Sequence, residues 1–171
     1  MRDYSKVRPT FWTRGTGKRL RKDRDARDVA LYLMTAPGMH MTGIYHLAVP
    51  AMAHHLDLSD EACSKALRRL SEEGFAYYDE ESELVFVVNG AREQIGKSLK
   101  PKDLQIKGID KHLAQLDSHP FVNKFVELYG EAYHLETKPA RTPIRSPFEA
   151  PSKPGTGTGT GTGRSSCREL Q

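Results

Sequence analysis

Seven histidines (His40, His46, His54, His55, His112, His119 and His134) and two cysteines (Cys63 and Cys167) are the classical metal-ligand types in this chain. Their spacing does not favour a metal site. His54 and His55 are adjacent, so their side chains diverge on a helix, and no Cys-x-x-Cys or His-x-x-x-His pair accompanies them. Cys63 falls on the apolar face of a helical segment and reads as a small core residue rather than a nucleophile. Arg14-Gly15-Thr16-Gly17-Lys18 superficially resembles a phosphate loop. It lacks the first glycine five residues ahead of the Gly-Lys pair, and Arg19 stands where a magnesium-binding Ser or Thr belongs. With no strand close before it, the segment reads as a flexible basic loop. No nucleophile, base and orienting group assemble, so neither catalysis nor a cofactor is expected.

The chemistry that remains is cationic. Ser64, Lys65, Arg68 and Arg69 fall on the outward side of one helical segment, and positions 65, 68 and 69 share a face at i, i+3 and i+4 spacing. Arg can meet guanine O6 and N7 with both arms, whereas Lys meets phosphate as a point charge. The same spacing also suits an ordinary solvated helix, with Glu61, Lys65 and Arg69 four apart and cations favoured in the later turns. Charge distribution favours the polyanion. Residues 1–28 carry ten basic and four acidic groups, a net +6, and the other 143 residues carry 16 basic and 18 acidic, a net −2. A basic arm on a near-neutral body suggests contact with nucleic acid, with Lys18, Arg19, Arg21 and Lys22 as phosphate ligands. Phe11-Trp12 in that arm could stack on a base, but burial habits favour a hydrophobic anchor.

These residues need a scaffold, and the hydrophobic pattern supplies one. Ala26, Val29, Ala30 and Leu33 predict a helix that Pro37-Gly38 ends, and Gly43 to Leu47 reads as a short strand. Pro50 suits the first turn of a second helix, with Ala51, Met52, Ala53 and Leu56 giving it a buried side. A Leu56-Asp57-Leu58 turn leads to Ser59, a good N-cap, with Asp60 and Glu61 in the dipole-favoured first turn. The third helix runs from Asp60 to Glu73 with Ala62, Cys63, Ala66, Leu67 and Leu70 inward and Gly74 as its C′ residue. Phe75 to Tyr78 and Leu84 to Val88 then predict a hairpin. Helix, strand, helix, turn, helix, hairpin is the order of a winged helix-turn-helix. The predicted class is therefore α/β, helix-rich, with a small β-hairpin wing. The wing tip, Asp79 to Glu83, holds four carboxylates in five residues and is expected to turn from phosphate or face a protein.

The expected organisation is a basic arm over 1–22 with a short extended piece, a winged-helix domain over 23–90, and a helical extension over 91–136. A disordered tail over 137–171 follows. In the extension, Leu104 to Leu116 reads as a helix weakened by Gly108, with Ile106, Ile109, Leu113 and Leu116 on one side. Asp117 or Ser118 would cap another from Pro120 to Gly130. Beyond Pro139 the Pro-rich stretch and the Gly155–Gly163 alternation of Gly and Thr cannot bury enough surface to fold. No apolar run approaches a membrane span or signal peptide, and two cysteines suit a reducing compartment, so the protein is read as soluble and cytoplasmic.

Several segments together resemble the amino-terminal domain of phage replisome-organiser and replication-initiator proteins. They are Phe11-Trp12, Ala30 to Thr35, Gly43-Ile44-Tyr45, Lys65 to Leu70, Glu73-Gly74-Phe75, Tyr78-Asp79-Glu80 with the strand after it, and Lys107-Gly108. The likeness is distributed over residues 5–135. It implies a winged-helix domain that binds duplex DNA in phage or prophage replication inside a bacterial host, with Ser64, Lys65, Arg68 and Arg69 on the recognition helix. It also implies host replication proteins as partners and admits a homodimer. The carboxy-terminal partner-binding region of longer members has no counterpart here, so helicase loading is not carried over. A winged-helix transcriptional regulator, or a protein-interaction module that leaves DNA untouched, would share many of these features.

Overall fold

The computed structural model describes residues 4–116 and 119–136. The predicted order of elements runs from α3 (Arg24–Thr35) through β1 (Ile44–His46), α4 (Val49–Leu56) and α5 (Asp60–Glu72) to the hairpin of β2 (Ala76–Asp79) and β3 (Leu84–Val87). Ahead of it lie α1 (Thr10–Thr13), α2 (Gly15–Arg19) and a 3-10 turn over Leu20–Lys22; behind it lie α6 (Gly90–Gln94), α7 (Leu104–Gln115) and α8 (Pro120–Tyr129). The architecture is mixed α/β and helix-rich, with one antiparallel sheet in the order β1-β3-β2. No described helix is long and apolar enough to cross a membrane.

β3 organises the interior because both of its faces are covered. Its four residues are all buried, as expected of a central strand written as a continuous apolar run. Val85 and Val87 join Tyr45, α3, α4 and α5 in one core, while Leu84 and Phe86 join Ile44, α7 and α8 in another. Alternation along the strand sends successive side chains to opposite faces. Ile44 and Tyr77 flank Phe86 in register on its two sides. Close approach at one end of the sheet requires glycine. Gly43 has φ +78°, and a Cβ there would lie 2.7 Å from the Val87 carbonyl oxygen. Tyrosine hydroxyls tie helices to this frame: Tyr45 donates to the Leu33 carbonyl of α3 at 2.7 Å and Tyr129 of α8 to that of Val88 at 2.7 Å.

Several expectations change. Arg14 to Lys18 is not a loop: Gly15–Arg19 is helical, and α2 packs directly on α1, where a Cβ on Gly17 would lie 1.9 Å from the Phe11 carbonyl oxygen. Tertiary contact overrides the poor helix propensity of two glycines. Trp12, expected to anchor with Phe11, is 50% exposed; Phe11 alone packs on the first core. Gly108 does not prevent α7, but of its stripe only Ile109 and Leu113 are fully buried. The cap of α8 is His119, whose Nδ1 accepts from the Phe121 N–H at 3.2 Å. The Asp117 and Ser118 assigned to it, and the 137–171 tail, lie outside the described residues.

Candidate nucleic-acid interface

α5 is fixed at both ends by local chemistry. Ser59 Oγ accepts from the Ala62 N–H at 3.1 Å, satisfying one free donor of the first turn. At the other end Gly74 takes φ +65°, the Gly74 N–H donates to Ser71 and the Phe75 N–H donates to Leu70. That pair of bonds is a Schellman motif, which needs a left-handed residue at C′. The preceding turn uses Asp57 at φ 54°. Cys63, Ala66, Leu67 and Leu70 face inward, and Leu70, fully buried, contributes roughly 2 kcal/mol by leaving water. Burial pushes the Cys63 thiol up, with Asp60 and Asp25 adding to it. A buried thiol of that kind is a poor nucleophile.

The outward side of α5 divides in two. Ser64, Lys65 and Arg68 make no side-chain hydrogen bond or ion pair among the described residues, and Lys65 and Arg68 are exposed. Arg69, expected to project beside them, is instead directed along the helix toward its C-terminal end. Its Nη1 lies 3.1 Å from Glu72 Oε2 and its Nη2 2.5 Å from Glu73 Oε1. Arg19 reaches the same carboxylate from the arm, pairing through Nε with Glu73 Oε2 and donating to the Glu73 carbonyl. Glu73, with 11% of its side chain exposed, thus sits between two guanidinium groups. No ion pair joins Lys65 to Glu61 four residues before it; the acids that engage α5's cations are the two at the helix end.

The remaining arm cations, Lys18, Arg21 and Lys22, are exposed and likewise without a side-chain partner among the described residues. The arm itself is pinned. Gln94, buried, accepts from the Lys6 N–H at 3.2 Å and donates to the Lys6 carbonyl at 3.1 Å, and Arg8 pairs with Glu93 at 2.7 Å. At its other end the arm lies beside α5. A groove of about 360 Å³ is lined by Lys22, Asp23, Arg24 and Asp25 on one wall and Ala62, Lys65 and Ala66 on the other. Asp23 Oδ1 is already engaged as the cap of α3, accepting from the Ala26 N–H. Lys22 and Lys65 therefore share one concavity, whereas Arg19 and Arg69 meet on Glu73.

The hairpin tip is anchored away from the groove. Asp79 Oδ2 accepts from Ser82 Oγ at 2.5 Å and from His119 Nε2 at 3.1 Å. Burial alone would raise the Asp79 carboxyl, but the Ser82, His119 and Glu81 hydrogen bonds together outweigh it and hold the group below its ordinary value. Glu80 stays exposed and lines a small hollow with Ser64, Arg68 and Tyr78, so one hairpin acid stands beside the free arginine.

Two features had no signal in the spacing. The His40 and His112 rings stack with centroids 3.6 Å apart, and His112 Nε2 donates to the Ile44 carbonyl at 2.9 Å, covering the outer edge of β1. Burial pulls the His112 imidazole below its ordinary value, although that hydrogen bond raises it. Among the described residues no group of three His, Cys, Asp or Glu stands where it could hold a metal ion. No protein-family model, no curated protein and no solved structure matches this chain.

Proposed function

We propose that residues 24–88 act as a winged helix-turn-helix that holds duplex DNA, with α4 and α5 as the helix pair and β2–β3 as the wing. The observation that carries the reading is the middle of α5, where Lys65 and Arg68 point outward with no acid bound to them. A recognition helix needs free cations on its outer face and apolar residues on its inner one. Arg68 would read a guanine edge and Lys65 a phosphate, with Lys22 adding a backbone contact from the opposite wall of the groove. The arginines tied to Glu73 hold the arm in place and are not assigned to DNA. The acidic wing tip, bound to the cap of α8, gives phosphate no ligand.

The role follows from the resemblance to replication initiators: the chain would mark an origin in phage or prophage DNA. A transcriptional regulator would use the same surface, and a footprint around the gene that encodes the chain separates them. Protected repeats at an origin support initiation; protection confined to promoters supports regulation. The binding claim is tested by duplex affinity against salt concentration for wild type, Lys65→Ala and Arg68→Ala. Each lost phosphate contact should flatten the log–log slope by about 0.9. Wild-type affinity that ignores salt, or variants that match it in both affinity and slope, would leave a protein-interaction module as the better reading.

A further inference from the structure

The amino-terminal arm carries a feature that duplex binding by α5 leaves unused. Trp12, the chain's one tryptophan, is half exposed, and its indole N–H has no hydrogen bond among the described residues. A ring of that size ordinarily buries most of its surface. Its position is nevertheless defined. Phe11 packs on the core and meets the indole edge-on, with centroids 5.2 Å apart and planes at 85°. Gly17 lies directly against the Phe11 carbonyl, so α2, which carries Lys18, folds back on α1.

The segment that carries this ring is unmixed in charge. From Tyr4 to Lys22 the sequence contains seven cations and no carboxylate. The body uses three of them, tying Lys6 to Gln94, Arg8 to Glu93 and Arg19 to Glu73. Arg14, Lys18, Arg21 and Lys22 have no side-chain partner among the described residues. An outward aromatic face among unpaired cations is the chemistry that holds single-stranded nucleic acid: bases stack on the ring while cations follow the phosphates. A membrane surface fits less well. α1 is four residues long and offers no extended apolar helical face to lie in a bilayer interface.

We propose that the arm is a second nucleic-acid site, one that binds single-stranded DNA by stacking an unpaired base on Trp12, with Arg14 and Lys18 on the adjoining phosphates. It uses none of the residues assigned to the α5 face, so the two claims stand or fall apart. Trp12 emission reports directly on the site. Titrating a short oligothymidylate into the full chain should quench that emission saturably, with an affinity that falls as salt rises. Trp12→Ala should weaken oligonucleotide binding about tenfold, within the range for loss of one stacked base. Trp12→Phe should recover most of it, and circular dichroism and melting of both variants verify that they fold. The Lys65→Ala, Arg68→Ala double variant should lose duplex affinity and keep the oligonucleotide. A wild-type chain that binds oligonucleotide but no duplex would sink the α5 reading and leave this one intact. Unquenched emission at saturating oligothymidylate, or equal affinity of folded Trp12→Ala, overturns the proposal. So does loss of oligonucleotide binding with the α5 double variant, or an emission change produced by phosphatidylserine-containing vesicles and not by the oligonucleotide.

Discussion

Arg68 and Arg69 are neighbours in sequence on one helix, yet they are committed in opposite ways. Arg69 has Glu72 and Glu73 three and four residues ahead of it, within reach of its guanidinium, and closes on both. Arg68 has Ser71 and Glu72 at the same distances, but Glu72 is taken by Arg69 and Arg68 remains open to solvent. One step along the helix turns a side chain by about 100°, enough to separate a structural cation from a free one. Residue type and net charge are equal at the two positions. What differs is the acids each closes on: Glu80 shares a hollow with Arg68 but makes no ion pair with it, whereas Arg69 holds both acids of the helix end.

That contrast can be broken by substitution. Arg68→Gln should lower duplex affinity by about thirtyfold, within the range for loss of a bidentate base contact, while leaving the melting temperature nearly unchanged. Arg69→Gln should do the reverse, with less than a threefold change in affinity and a measurable fall in stability. Equal effects of the two on gel-shift titrations would remove the distinction. Glu73→Gln comes next. It leaves two guanidinium groups sharing a neutral amide and should cost about 1–3 kcal/mol in chemical denaturation, since charge-assisted hydrogen bonds are lost at a largely buried group. Its affinity for duplex should not fall, because Arg19 and Arg69 are released and positive charge is gained. A drop in affinity with unchanged stability would place Glu73 in the ligand site instead.

The smallest effect separates charges by what perturbs them. Free cations on α5 answer to salt; the imidazole under β1 answers to pH. Because the folded state holds the His112 pKa below its ordinary value of 6.5, the unfolded chain binds the proton more readily. Stability is therefore complete above that value and declines as pH falls below it, with a slope of at most about 1.4 kcal/mol per pH unit. Denaturation midpoints of wild type and His112→Gln between pH 7 and pH 5 should diverge, the wild type losing more. Parallel curves would show that the imidazole contributes nothing to the pH dependence.

The fold is legible in the sequence where the controlling signal lies within a few residues. Ser59 and Gly74 bracket α5, and Ala26 through Leu33 mark the buried side of α3, because caps and periodicity act over a single turn. The hairpin was visible for the same reason. Features set by distant partners were not. Arg19 and Glu73 are 54 residues apart, Lys6 and Gln94 are 88 apart, and His112 meets Ile44 across 68. The helical form of Gly15–Arg19 depends on the Phe11 surface beneath it rather than on its own composition. α6 is not singled out within the expected helical extension, since five residues beginning with glycine offer no period to detect. Within the proposed interface the types of the contacting residues were legible, but the division between free and tied cations was not, because it is a property of neighbours brought in by folding.

β3 has a bearing on how this protein can be cut. A strand that supplies apolar side chains to both faces belongs equally to the helices before it and those after it. Removing everything beyond residue 90 would preserve all the helices of the proposed DNA-binding unit, yet it would strip the cover from Ile44, Leu84 and Phe86. The excised piece would carry a greasy sheet face into water and tend to self-associate. For recombinant work, and for any natural shuffling of this module, the indivisible unit therefore extends past α8 to the buried Tyr133, well beyond the hairpin.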